Sequence, residues 1–270
     1  MGEREAPWHH PLSLAAGTLP EFPPEAVAEA AARSGFRQVG FTIDPGAWTE
    51  RRGLKLRRML DAEGLQVLDV EVAWIPAGGA VTDGHRRLLD IGAALGATHL
   101  LTVSDEADPG RAGDALRVLC EQAASCGMRV ALEFLMITAL HSLDAALAVI
   151  RHCDHPAAAL LIDALHLQRA GHRPGDLAAI PPALLSYAQL CDGSRDCAAD
   201  PAAYLRDALD LRSAPDEGEL PLRPLLDALP AGCPLSLEIR SARYRAEYPI
   251  AADRAAAIRR RTLDFLAATG

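Results

Sequence analysis

At 270 residues, with a formal charge of −9 and a pI near 5.5, the chain lacks the basic footprint that binding to a phosphate backbone requires. Nucleic acid is therefore not an expected partner. No run of about 18 apolar residues occurs, and the N-terminal MGEREAPWHHPLSL is charged from the start without an apolar leader; neither a membrane span nor export is expected, and the expected location is cytoplasmic.

Short apolar runs of strand length alternate with longer Ala/Leu/Arg segments of helical period, the pattern of repeated βα units around a parallel sheet. In chain order the expected strands are HPLSLAAG (10–17), FRQVGFT (36–42), QVLDVEV (66–72), THLLTVS (98–104), RVALEF (129–134), ALLID (159–163), SYAQLCD (186–192) and LSLEIRS (235–241). Helices are expected between them at 23–35, 87–97 and 114–127, several followed by the glycine of a C-terminal stop. Strand starts recur roughly every 30 residues, the size of one βα unit, and the last gap is wider, which predicts an insertion after the seventh strand. There PDEGELPL (215–222) reads as a loop turning into the penultimate helix near Leu222, and AADRAAAIRRRTLDFLAAT (251–269) as an amphipathic helix over the barrel wall. The class expected is α/β, with residues 1–270 forming a single (β/α)8 TIM barrel.

The six cysteines form no CxxC pair and suggest neither a zinc knuckle nor a disulfide scaffold; most are expected to be small buried apolar residues. Lys55 is the only lysine and lies in an Arg-rich segment expected to be an exposed helix, which argues against Schiff-base chemistry.

In such a barrel the strand C-termini and the loops after them form the active face. There an acidic or amide side chain interrupts each of four otherwise apolar strands: Glu133, Asp163, Gln189 and Glu238. Any one alone reads as a helix N-cap or loop-ordering acceptor. Together, three carboxylates would repel and lose hydration unless a cation sat among them. An all-oxygen set suits Mn²⁺ first, with Mg²⁺ or Co²⁺ as alternatives.

The segments LEF (132–134), IDALHLQRAG (162–171), QLCDG (189–193) and LSLEIRS (235–241) resemble the xylose-isomerase-like superfamily of sugar isomerases and epimerases, over essentially the whole chain. The resemblance implies one divalent metal held by Glu133, Asp163, Gln189 and Glu238, a substrate-contacting His166 three residues after Asp163, and dimerisation. Gln189 stands where a sugar epimerase usually has histidine, and in this it is similar to the 3-dehydroshikimate dehydratases of the same superfamily.

The reaction expected is metal-dependent isomerisation or epimerisation of a polyhydroxylated ketone through an enediolate, with Glu133 and Glu238 as the acid/base pair. The alternative is a dehydratase in which His166 serves as the acid, because an unperturbed imidazole titrates near neutrality. Glu71, Trp74, Arg169, Arg195 and Arg243 are candidate substrate contacts, each with a salt-bridge, packing or solvated alternative. An arginine reaching the pocket would favour a carboxylated substrate. Apurinic endonuclease chemistry is disfavoured by the scarcity of strand-end histidines, and a non-catalytic barrel is a further alternative. His9 and His10 could line the site or lie at the surface; His141, His152 and His155 are given no role.

Overall fold

A computed structural model describes residues 10–196 and 200–268. Eight strands, β1 (Leu12–Leu14), β2 (Gln38–Thr42), β3 (Gln66–Ile75), β4 (His99–Ser104), β5 (Arg129–Leu132), β6 (Ala158–Asp163), β7 (Leu185–Leu190) and β8 (Leu235–Leu237), pair in sequence order. Every pairing is parallel, and β8 pairs back onto β1 to close the barrel. Around it run α1 (Pro24–Arg33), α2 (Glu50–Ala62), α3 (Asp83–Leu95), α4 (Pro109–Ser125), α5 (Leu143–Cys153), α6 (Ala164–Arg169), α7 (Pro201–Asp210), α8 (Leu222–Ala228), α9 (Ala242–Glu247) and α10 (Ala251–Ala267).

Local chemistry accounts for these boundaries. Thr49, Thr82, Asp108, Ser142 and Asp200 each accept a backbone N–H at a helix start, where the first turn has no intrahelical acceptor. The chain stretch between β7 and β8 carries the expected insertion, α7, ahead of α8 at Leu222. Lys55 is exposed on α2; Cys120, Cys153, Cys191 and Cys233 are buried thiols and Cys126 is exposed. His9 and Cys197 fall outside the described residues. Among those described, no helix is long and apolar enough to cross a membrane.

Most apolar side chains pack between sheet and helices, whereas Leu68, Leu101, Val103, Ala131, Ala159, Leu161 and Tyr187 form a separate cluster inside the barrel. Strand alternation sorts the two sets: on β6, Leu160 and Ile162 face the helices while Ala159 and Leu161 face inward. The interior also holds polar groups without protein partners, namely both Asp69 oxygens, the Tyr187 hydroxyl, His99 Nε2, Thr102 Oγ1 and the Ser13 and Ser236 hydroxyls. Asp69 reaches in because its neighbour is Gly40, where a Cβ would stand 2.6 Å from Asp69 Oδ1. Burial, reinforced by Glu71 and Glu238, holds the Asp69 carboxyl well above its usual range.

His99 packs tilted against Tyr187, ring centroids 4.8 Å apart, and burial pushes its ring from 6.5 to about 4. Between those values the unfolded chain binds a proton that the folded chain refuses, so acidification across this interval favours unfolding, and above it the group contributes nothing. His99→Gln removes this contribution. Urea unfolding followed across the interval should show wild type losing stability relative to the variant as pH falls; a constant difference would contradict the neutral buried imidazole.

Candidate active site

Alternation places the four strand-end residues on one face. Ala131 and Glu133, Leu161 and Asp163, Tyr187 and Gln189, and Ser236 and Glu238 are pairs two residues apart, and the apolar interior cluster includes the first member of three of them. Glu133 and Glu238 stand one residue beyond β5 and β8, while Asp163 ends β6 and pairs in register with Gln189. All four are buried, and Glu133, Gln189 and Glu238 line a cavity of about 330 Å³ at the C-terminal mouth of the barrel. Asp163 lies just behind it and also caps α6, its Oδ1 accepting the His166 N–H at 2.9 Å.

Glu71 enters through a bulge. Val70 pairs with Leu100 and Ala73 with Thr102, so Glu71 and Val72 together oppose one residue of β4, and both line the cavity, as strict alternation would forbid. Glu71 accepts a hydrogen bond from Thr42 Oγ1 at 2.8 Å and faces Arg240 at 3.6 Å. Trp74, also lining the cavity, spends its indole N–H on Asp105 at 2.6 Å.

One residue at the centre escaped the reading of the sequence. Arg212, in the segment after α7, is fully buried, with Nη1 2.6 Å from Asp163 Oδ2 and 3.1 Å from Glu238 Oε2. Its Nη2 meets His166 Nε2 at 3.2 Å. Because a guanidinium only donates, His166 Nε2 must be the acceptor and Nδ1 carries the proton, directed at the Tyr204 hydroxyl 2.7 Å away. Tyr204 lies on α7, so this inserted helix positions His166 as well as roofing the cavity.

The charges do not balance. Four carboxyl groups, Glu71, Glu133, Asp163 and Glu238, gather at the upper barrel with Asp69 buried below them, and among the described residues only Arg212 and Arg240 neutralise them. Burial drives all five upward, but the guanidiniums decide the outcome: Arg212 brings Asp163 below its usual value, and Arg212 with Arg240 does the same for Glu238. Glu133 is left raised well above the usual range by burial and by Asp163 and Glu238, and its Oε1 has no partner. Donor atoms of Glu133, Asp163 and His166 lie within 4.8 Å of one another, a grouping able to hold a metal ion.

His166 differs from the near-neutral imidazole expected of it. Burial lowers its ring to about 4, and the opposing pull of Asp163 does not restore it, so the ring is neutral at neutral pH. Arg169 lies outside the cavity, paired at 2.6 Å with Asp207 of α7 and donating to the carbonyls of Ser194 and Arg195. Arg195 is exposed beside a separate surface depression, and Arg243 pairs with Glu217 against the Tyr244 ring. The arginine after β8 that reaches the cavity is Arg240, donating to Glu238 Oε1 at 2.9 Å. It passes over Gly17, where any Cβ would collide with the guanidinium at 2.2 Å.

The chain belongs to the xylose isomerase-like TIM barrel family, whose model matches residues 28–268. No curated protein matches it in sequence. Among solved structures, an IOLI protein with a bound zinc atom superposes at TM-score 0.79 and 15% identity, over 96% of this chain and 99% of that one. A D-psicose 3-epimerase structure in the presence of D-fructose gives 0.72 and 12%, over 95% and 99%. The probable 3-DHS dehydratase AsbF of Bacillus anthracis gives 0.70 and 14%, over 91% and 97%. A xylose isomerase-like TIM barrel/4-hydroxyphenylpyruvate dioxygenase fusion protein gives 0.75 and 24%; 93% of this chain is covered, but it spans only 42% of the fusion. At these identities the likeness is one of fold.

Arg212→Met should leave Asp163 as an unpaired buried charge and Glu238 with Arg240 alone, and cost about 3–5 kcal/mol of stability in metal-free protein. Chemical denaturation measures this; an unchanged midpoint would contradict the pairing.

Proposed function

We propose that the chain is a divalent-metal-dependent isomerase or epimerase of a hydroxyketone, with Glu133, Asp163, Gln189 and Glu238 holding the metal. The observation that carries the reading is the unbalanced carboxylate cluster, above all Glu133, whose buried Oε1 has no partner. The donors fit a hard cation: three carboxylates and an amide, with Asp163 and Glu238 oriented by the His166 N–H, Arg212 and Arg240. Mn²⁺ is the metal proposed. When bound it supplies Lewis-acid polarisation of the substrate carbonyl.

The chain's own residues then have separable tasks. Glu133 and Glu238 lie on opposite sides of the Asp163–Gln189 pair, so a substrate carbon between them can lose its proton to one carboxylate and regain it from the other. Arg212 presents fixed positive charge toward the developing oxyanion and keeps Glu238 ionised. His166 Nε2, neutral, accepts from Arg212 and sets its orientation.

A dehydratase is the second reading, favoured by Gln189 in place of histidine on β7. It needs an acid for the departing hydroxyl, and a neutral His166 occupied by Arg212 is poorly suited to that task. The isomerase therefore ranks first.

In Mn²⁺-supplied protein, Glu133→Gln and Glu238→Gln should each abolish solvent-deuterium incorporation into ketose substrates while circular dichroism stays unchanged. Turnover retained in either variant refutes the proton-transfer roles; a conjugated product without deuterium uptake replaces the isomerase by the dehydratase. Mn²⁺ should also raise the melting temperature of wild type and do so less in Glu133→Gln. Equal shifts would remove Glu133 from the metal.

A further inference from the structure

The cavity has two chemically different halves. Its inner half is polar: Glu133, His166, Gln189, Arg212, Glu238 and Arg240. Its outer half is built from Val72 and Trp74 of β3, Ile137 after β5, and Leu205, Ala208 and Leu209 of α7. In that half the Trp74 indole N–H is committed to Asp105, and the Tyr204 oxygen accepts from His166 and the Met136 N–H, which leaves its O–H as a single donor.

The outer side chains are also unusually exposed for their type: Val72 39%, Trp74 39%, Ile137 37%, Leu205 39% and Leu209 43%. Scattered apolar exposure is ordinary; five such residues around one opening make a contiguous patch continuous with the polar pocket, which marks a ligand groove. A polyhydroxylated chain reaching this far would set several hydroxyls against carbon with only the Tyr204 O–H to meet them, at a cost of about 1–3 kcal/mol for each one left buried and unpaired. An aryl or branched-alkyl group would instead cover the Trp74 face and the α7 leucines at a gain of about 25 cal/mol per Å².

Resting on the function proposed above, we infer that the substrate is amphipathic: a hydroxyketone head carried into the polar half, bearing an aromatic or branched apolar substituent that lies between Trp74 and α7. The inserted helix thereby selects the substrate's tail as well as fixing His166.

Two probes with the same head test this, dihydroxyacetone and phenacyl alcohol, in which a phenyl ring replaces one hydroxymethyl group. Calorimetric titration of Mn²⁺-supplied protein should show phenacyl alcohol binding at least about tenfold more tightly. The ratio should fall toward one in the Leu205→Asn/Leu209→Asn double variant and persist in Leu54→Asn, an equally exposed leucine (46%) remote from the cavity. Equal affinities in wild type, or a preference that survives the double variant, overturn the inference. Dihydroxyacetone binding without aryl preference leaves the metal-dependent isomerase standing and removes only the apolar tail. Failure of both probes to bind removes both readings. A dimer that the double variant converts to monomers, with the preference unchanged, makes the patch a subunit interface and overturns the inference.

Discussion

The structure turns on an electrostatic deficit. Glu71, Glu133, Asp163 and Glu238 converge at one end of a closed barrel above a fifth acid, Asp69, all out of water, and two arginines cannot compensate five carboxyls. Such a cluster is tolerable in only two ways, by protonation or by further positive charge. The fold leans on the first for Asp69, deep in the barrel, where burial raises the carboxyl well above its usual range. Nearer the mouth, Arg212 and Arg240 hold Asp163 and Glu238 low while Glu71, paired with Arg240 and Thr42, and Glu133 stay raised; Glu133, with an unpartnered oxygen, is the acid that a divalent cation would satisfy.

Arg212 changes how the metal set is viewed. Its guanidinium already spans Asp163 and Glu238, so these two proposed ligands are oriented without a metal and share their oxygens with a fixed cation. The segment that supplies it is the same long connection that supplies Tyr204, Leu205 and Leu209. On the function proposed, the strand ends β5 to β8 supply the carboxylates, while the β7–β8 connection supplies both Arg212 and the apolar wall of the cavity. This division is what the barrel scaffold permits, since its loops vary while its strands persist.

The barrel itself was legible because strand alternation and helix period recur in every unit, and because Glu133, Asp163, Gln189 and Glu238 interrupt strands whose other members are apolar. β3 was read three residues short: Ala73, Trp74 and Ile75 extend it beyond a bulge that no local pattern announces. Arg212 was missed because it pairs with Asp163 across 49 positions of chain, from a non-periodic stretch among many arginines. Arg240 and Arg243 stand three residues apart in one arginine-rich stretch after β8, and only the close approach over Gly17 separates the one that turns inward. His166 was located by its offset from Asp163, but its protonation depends on burial and on Arg212, neither of which spacing reveals.

The claim that a cation completes this carboxylate cluster is tested most directly by crystals grown with Mn²⁺ and diffraction recorded at the manganese absorption edge. The account predicts one anomalous peak within bonding distance of Glu133, Asp163, Gln189 and Glu238, with the Arg212 guanidinium beside it. A map with no peak there, and Arg212 alone filling the space between Asp163 and Glu238, would contradict it.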